Sequence, residues 1–120
     1  MAKILVVDDE KMICEEFSAL LQEEGHEVDT ALRGAEAIQK VQQSRYDLIF
    51  LDVLMPRMEG REVFEKIKTV SEVPIAIMSG YMPKSKEKEV LALGAVACLR
   101  KPLDIARVKN LVNSIGKQQK

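Results

Sequence analysis

Five short apolar runs recur along the 120-residue chain at fairly even intervals. Four of these runs are almost continuously apolar, which is typical of parallel strands that are covered on both faces. The second run lies in the alternating segment Glu27-Val28-Asp29-Thr30, which is typical of an edge strand. The pattern therefore predicts five strands, at residues 4–7, 28–31, 48–51, 75–78 and 95–99.

Apolar residues with helical spacing occupy the gaps between these runs. In the first gap Gly25 is placed to end a helix, and in the last segment Asp104 is placed to cap the start of one. The residues that mark the first, second, third and last helices are Ile13, Phe17, Leu20 and Leu21, then Ala37, Ile38 and Val41, then Val63, Phe64 and Ile67, and finally Ile105, Val108, Leu111, Val112 and Ile115.

The fourth helical region is the weakest. Residues 84–89 have no apolar face, so only Val90, Leu91 and Leu93 can anchor that helix, and we expect it to be the least firmly packed. A strand followed by a helix, five times over, predicts an α/β fold with a doubly wound, five-stranded parallel sheet. In such a sheet, functional groups belong at the carboxyl ends of the strands.

Length and composition narrow the class of protein. With 47% apolar residues, the chain can form one core, so we expect a single domain over residues 1–116 and a short tail at 117–120 with no effector domain. The apolar runs are too short to cross a bilayer and no signal peptide is apparent, which predicts a cytoplasmic protein without membrane contact. Cys14 and Cys98 stand alone, so neither a zinc site nor a disulfide framework is indicated. Few aromatic residues and a pI near 5.9 argue against direct nucleic-acid binding.

The near-neutral net charge of −1 conceals an uneven distribution. Residues 1–60 carry 6 basic and 13 acidic residues, whereas residues 61–120 carry 12 basic and 6 acidic ones. Part of this asymmetry falls at the strand ends, where Asp8-Asp9-Glu10, Asp52, Ser79-Gly80 and Lys101-Pro102 follow the first, third, fourth and fifth strands. These polar groups are predicted to converge on one edge of the sheet.

Three crowded carboxylates repel one another, and a hard divalent cation, most plausibly Mg²⁺, relieves the repulsion. Asp9 and Asp52 are the natural direct ligands. A carboxylate can also attack phosphorus to form an acyl phosphate if nearby groups neutralise the charge, which Lys101 and Ser79 can do. Asp52 is the best nucleophile because it ends the most apolar strand.

Residues 4–10, 47–60, 74–80 and 94–102 together resemble the receiver domain of two-component response regulators, the CheY-like superfamily. The resemblance covers essentially the whole chain and implies the flavodoxin-like strand order 2-1-3-4-5. It implies that Asp52 is the phosphoacceptor for a sensor histidine kinase or a histidine phosphotransfer protein. It also implies that Asp9, Asp52 and the Leu54 carbonyl hold Mg²⁺, or Mn²⁺, with Asp8 acting through water. Ser79 and Lys101 would then bind the phosphate oxygens. The resemblance further implies a cis peptide bond before Pro102.

One position departs from the usual pattern of that family, and two others border the phosphorylation site and influence how fast the phosphoryl group is lost. Cys98 stands where the family usually has the aromatic residue of its switch, so we hypothesise that output relies on backbone displacement over residues 79–88; simple occupancy with weaker coupling is an equal alternative. Leu54 and Tyr81, which border the site, offer no carboxylate or amide to position water, and this predicts slow self-dephosphorylation. Tyr81 could equally be an ordinary loop residue or part of a partner surface.

The sequence favours a signalling switch that catalyses only its own phosphorylation and dephosphorylation. An aspartate-nucleophile phosphatase would need a second aspartate where Leu54 stands. A phosphorylation-independent interaction module of the same fold is an alternative, but the full set of acidic, hydroxyl and lysine positions favours phosphorylation. The resemblance implies an output partner at the face formed by the fourth helix, fifth strand and fifth helix. Basic residues there, including Lys86, Arg100 and Arg107, predict that this partner is acidic.

Overall fold

The structure, a computed structural model, describes residues 2–52, 60–80 and 84–118. A single parallel sheet has the strand order β2-β1-β3-β4-β5, as predicted. The elements, in chain order, are β1 (Lys3–Val7), α1 (Lys11–Glu23), β2 (Glu27–Ala31), α2 (Gly34–Gln43), β3 (Leu48–Asp52), α3 (Gly60–Val70), β4 (Ile75–Ser79), α4 (Lys84–Ala92), β5 (Ala97–Arg100) and α5 (Ile105–Gln118).

Alternate strand residues form two apolar cores, one on each face of the sheet. Leu5 and Ile49 belong to the core that contains side chains of α2 and α3. Ile4 and Phe50 belong to the core that contains side chains of α1 and α5, where the rings of Phe17 and Phe50 lie 4.8 Å apart. Every residue of β3 and β4 is buried, which explains their nearly continuous apolar sequences.

Two helix boundaries follow from the predicted residues. Gly25 adopts a φ of 90°, a conformation that favours glycine, directly after α1 ends. Asp104 Oδ1 accepts hydrogen bonds from the backbone N–H groups of Ala106 and Arg107, at 3.0 and 3.3 Å, and so caps α5. Both predictions are confirmed.

Side chains of α2 cover part of the edge strand β2. The N–H of Glu27 and the carbonyl of Ala31 bond to the β1 side, so the backbone groups of Thr30 and Leu32 face away from the sheet. Lys40 Nζ donates to the Thr30 carbonyl at 2.5 Å. Glu36 Oε1 accepts from the Leu32 N–H at 2.8 Å. The outer edge of β2 is therefore partly hydrogen-bonded by its own domain.

The helix α4 packs as weakly as its sequence predicts. None of its described side chains is buried, and only Val90 packs against the core as a partly buried residue. Ion pairs among the described residues join α4 to its neighbours, and they include Arg61 Nη1 to Glu89 Oε1 at 2.5 Å and Arg100 Nη2 to Glu87 Oε2 at 3.6 Å. Throughout the described part of the chain, every helix falls short of the length and apolar character that crossing a bilayer requires.

Candidate functional site

The strand register brings the predicted polar residues to one edge of the sheet. Val7 is aligned with Leu51, and Asp52 is aligned with Met78, so the carboxyl ends of β1, β3 and β4 lie side by side. Ser79 is aligned with Arg100 at the end of β5. Residues at or just after these ends therefore meet at one place, as the sequence predicts.

Asp8, Asp9 and Asp52 form a compact group of carboxylates. One oxygen from each lies within 4.8 Å of the others. Asp8 and Asp52 are buried, with 0% and 3% of their surfaces exposed, whereas Asp9 is exposed. Burial strengthens the repulsion between these anions because water screens it less. The site therefore needs positive charge.

Lys101 supplies positive charge to the two buried carboxylates. Its Nζ lies 2.7 Å from Asp8 Oδ2, 3.0 Å from Asp52 Oδ2 and 3.7 Å from Glu10 Oε1. Burial lowers the pKa of Lys101, but the interactions with Asp8 and Asp52 outweigh it and raise that pKa above its ordinary value. Lys101 is therefore a permanent cation at physiological pH.

The environment of Asp8 fits a divalent cation. Asp8 Oδ1 accepts a hydrogen bond from the Glu10 N–H at 2.9 Å. Asp8 Oδ2 is buried and accepts no well-oriented hydrogen bond from the described residues, although the Lys101 ammonium lies close to it. A buried carboxylate oxygen without its full set of partners, beside two further carboxylates, is the type of oxygen donor that Mg²⁺ prefers.

Ser79 and Pro102 flank Lys101. Ser79 is buried, with 2% of its surface exposed, and its carbonyl accepts the Lys101 N–H at 2.9 Å. The Lys101–Pro102 peptide bond is cis, the isomer that the resemblance implies. The hydrogen bond between the Lys101 N–H and the Ser79 carbonyl joins the backbone at Lys101 to the end of β4. Leu54 and Tyr81 lie outside the described residues.

Cys98 lies below this edge, on β5. Its side chain is buried in the core that also contains residues of α2 and α3, and its Sγ lies 4.0 Å from the Glu87 carbonyl of α4. Burial, together with the charge of Glu87, raises the pKa of the Cys98 thiol. Cys98 is therefore a neutral core residue at the point where β5 meets α4.

An apolar groove beside the site is not evident from the sequence. It has a volume of 520 Å³ and opens between α1 and α5, next to Lys101. The helical spacing of apolar residues predicts the apolar faces of α1 and α5, but it does not predict the groove between these helices. The lining residues are Ile13, Glu16, Phe17, Ala19, Leu20, Glu23, Lys101, Pro102, Leu103, Ile105 and Val108.

The sequence places Glu10 among the polar groups at this edge but does not predict its contact with Lys101. Glu10 follows the two aspartates directly, and its carboxylate faces Lys101, as the 3.7 Å separation shows. The run of three acidic residues was the available signal. Whether its third member faces the site depends on how α1 begins, which spacing does not reveal.

Comparison with known proteins identifies the family. The family model described as the response regulator receiver domain matches residues 4–113. The chain therefore belongs to the receiver domains of two-component response regulators. Its strand order and its acidic pocket agree with that class, whose members are phosphoacceptor signalling switches that generally bind Mg²⁺.

Individual relatives agree with this assignment. A transcriptional regulatory protein, the CpxR homolog of Haemophilus influenzae, is 40% identical over 116 residues; the match covers 93% of this chain and 51% of that protein. The chain thus spans about half the length of that relative. A two-component response regulator from Clostridium difficile superimposes with a TM-score of 0.94 at 30% identity, covering 99% of this chain and 98% of that one. The chemotaxis protein CheY4 of Vibrio cholerae gives 0.88 at 35% identity, covering 96% and 98%.

Proposed function

We propose that Asp52 is the phosphoacceptor of this receiver domain. The observation that carries the proposal is the burial of the Asp52 carboxylate at the end of β3, 3.0 Å from the Lys101 ammonium and grouped with Asp8 and Asp9. An oxygen of Asp52 attacks the phosphorus of a phosphohistidine. The new O–P bond forms as the N–P bond breaks, and the electron pair leaves with the imidazole nitrogen, which takes up a proton.

The remaining residues of the site stabilise and orient the transferring group. Lys101, a permanent cation within 3.0 Å of Asp52, binds phosphoryl oxygens, and the buried Ser79 donates its hydroxyl to them. Asp9 and Asp52, with the backbone carbonyl of Leu54, would hold Mg²⁺ or Mn²⁺, and Asp8 would act through bound water. The bound ion supplies further neutralisation of phosphoryl charge. The protein thereby catalyses its own phosphorylation and dephosphorylation without turning over another substrate.

The donor is a sensor histidine kinase or a histidine phosphotransfer protein, and it docks in the α1–α5 groove. A protein donor must cover the surface beside Asp52 to bring its phosphohistidine within bonding distance. The groove lies next to Lys101 and is lined by the half-buried Ile13 and Leu20 and the exposed Ile105 between α1 and α5. An apolar groove of this shape fits the side of a helix.

The output partner binds the face formed by α4, β5 and α5. Arg100 and Arg107 are exposed there, which supports an acidic partner. Cys98, buried between β5 and α4, offers no ring to report the state of Ser79, so the signal passes through backbone displacement over residues 79–88. Slow self-dephosphorylation, which Leu54 and Tyr81 predict, and a cytoplasmic location belong to the same proposal.

Intact-mass measurement after incubation with Mg²⁺ and a small phosphodonor tests the proposal. We expect the wild type to gain one phosphoryl group and Asp52→Asn to gain none. Asp104→Asn is the matched control, because asparagine caps a helix about as well as aspartate and this variant should fold and be phosphorylated normally.

Two results would remove the assignment. One is a wild type that stays unmodified in Mg²⁺ while remaining folded, which would favour the phosphorylation-independent interaction module. The other is equal modification of the wild type and Asp52→Asn, which would place the phosphoryl group on another residue.

A further inference from the structure

Glu10 is the third carboxylate around Lys101. Its Oε1 lies 3.7 Å from Lys101 Nζ, farther than the oxygens of Asp8 and Asp52 at 2.7 and 3.0 Å. Glu10 is absent from the group of carboxylates that lie close enough together to share a cation. A metal bound at the aspartates would therefore leave the Glu10 carboxylate available to Lys101. Among the described residues that pair with Lys101, Glu10 alone lies outside that group of carboxylates.

The Lys101 ammonium and a divalent cation are both attracted to the carboxylates of Asp8 and Asp52. An ammonium group only donates, and here it lies against two carboxylates that are buried. Two cations at these oxygens would repel each other with little screening, since burial excludes water and salt. Lys101 must therefore change its contacts when a divalent cation binds Asp8 and Asp52.

The position and exposure of Glu10 allow its carboxylate to pair more closely with Lys101. Its backbone N–H is bonded to Asp8 Oδ1 at 2.9 Å, which keeps the residue beside the site. Its side chain is 62% exposed, so it can rotate towards Lys101 and shorten the 3.7 Å separation without repacking the core. The lysine side chain is equally adaptable, with a flexible stem and three donors.

We propose that Glu10 is a positioning residue that draws Lys101 away from the metal-binding oxygens and keeps its ammonium at the site when the cation binds. Lys101 is then placed for the phosphoryl oxygens instead of being displaced into solvent. The inference rests on the proposed function, because it takes the aspartates as the cation site and Asp52 as the phosphoacceptor.

Calorimetric titration with Mg²⁺ tests this role in the wild type, Glu10→Gln, Lys101→Met and the double variant. Glu10→Gln is expected to weaken Mg²⁺ binding about two- to five-fold, the range for a partly exposed charge pair. In the Lys101→Met background the same substitution should have a smaller effect, because only the direct attraction between Glu10 and the cation is then lost. Glu15→Gln removes an exposed α1 carboxylate that makes no ion pair with Lys101 and is the matched control. We expect it to leave Mg²⁺ affinity nearly unchanged.

Side-chain NMR of Lys101 gives a readout that does not depend on the folding of Lys101→Met. At saturating Mg²⁺ the ε-methylene of Lys101 should remain ordered in the wild type and become mobile in Glu10→Gln. Equal effects of Glu10→Gln in both backgrounds, or unchanged Lys101 order, would overturn the role of Glu10 alone. A folded wild type that binds no Mg²⁺ would overturn the proposed cation site as well.

Discussion

Two buried carboxylates, those of Asp8 and Asp52, share the ammonium of Lys101, and this unequal pairing shapes the chemistry of the site. Burying two anions against one cation leaves a net negative charge where water screens it poorly. Such an arrangement is costly for folding, but it provides a site that gains stability when further positive charge or a charge-neutralising ligand arrives.

At the same scale, Cys14 couples stability to alkaline pH. Burial, followed by the charge of Asp8, raises the pKa of the Cys14 thiol from 9.0 to about 11. The folded chain keeps this proton to higher pH than the unfolded chain does. The stabilising contribution is therefore intact below pH 9 and is lost as the pH rises towards 11.

The free energy of unfolding of the wild type should fall as the pH rises above 9. In Cys14→Ala this fall should be less steep, by up to ~1.4 kcal/mol per pH unit. Urea unfolding of both proteins at intervals from pH 7.5 to about pH 10 measures the difference in slope. Lys101 and Tyr46, whose pKa values are also raised, add to the loss at higher pH in both proteins. Parallel curves for the two proteins would show that Cys14 is not the cause.

Most of the residues that form the site were predictable from their positions at the ends of strands. Asp8, Asp52, Ser79 and Lys101 follow or end apolar runs, and a parallel sheet brings such positions together whatever the details of packing. Contacts that depend on side-chain reach were not predictable. Glu10 meets Lys101 only because α1 begins at Lys11 and leaves the preceding residue beside the lysine.

At the scale of elements, α4 differs from the other helices in how it is held. Its described side chains contribute little apolar burial, so its ion pairs, Arg61–Glu89 and Arg100–Glu87, form much of its connection to α3 and β5. Exposed pairs of this kind are weak and are screened by salt. The packing of α4, which forms part of the proposed output face, should therefore be sensitive to salt.

Glu89→Gln should raise the hydrogen-exchange rates of α4 amides about two- to five-fold at low salt, the range for one surface ion pair. High salt should raise the wild-type rates in the same way and remove the difference between the two proteins. Exchange measured by mass spectrometry on α4 peptides provides the test.

The control for this prediction is Glu62→Gln, which breaks the Glu62–Lys66 pair within α3 and leaves the ion pairs of α4 intact. Its α4 peptides should exchange like those of the wild type. Equal acceleration in both variants, or none in Glu89→Gln, would contradict a role for the Arg61 pair in holding α4.

The elements themselves followed closely from sequence periodicity. The weak fourth helix and the edge position of the second strand were both predicted from their polar residues, since neither segment can be buried on all sides. The fifth strand was less well predicted: its apolar run begins at Ala95, whereas β5 begins at Ala97. Ala95 is buried in the core before the strand starts, so its apolar character reflects burial and not pairing.

At the scale of the whole molecule, the α1–α5 groove is the proposed docking surface for the donor, and it is distinct from the carboxylates that carry the chemistry. Ile105→Glu places a charge in the groove at a residue that is 53% exposed, so stability should change little. Phosphotransfer from a phosphorylated histidine kinase, or from a histidine phosphotransfer protein, that serves the wild type should slow about tenfold, as for loss of a central interface anchor. Phosphorylation by a small donor should not change. Phosphate transfer followed on gels measures both reactions.

Val70→Glu is the matched control, because Val70 is 46% exposed on α3 and is not among the residues that line the groove. It should leave both reactions at wild-type rates. Equal slowing of the two donors in Ile105→Glu would mean that the substitution disturbs Asp52 itself and not the docking of a protein.

The charge asymmetry of the chain also has its meaning at this scale. The acidic first half supplies Asp8, Asp9 and Asp52, and the basic second half supplies Lys101. The strand β5, from the second half, lies at one end of the order β2-β1-β3-β4-β5. Lys101, directly after β5, reaches Asp8 at the carboxyl end of β1, and this contact joins the two halves. Neither half alone contains the ion pairs of the site.

The hydrogen bonds from α2 to β2 bear on how the protein behaves among other chains. An open strand edge can recruit a foreign strand and extend the sheet from molecule to molecule. Here the Thr30 carbonyl and the Leu32 N–H already bond to Lys40 and Glu36, so an incoming strand would have to displace them. Aggregation through this end of β2 is thereby opposed.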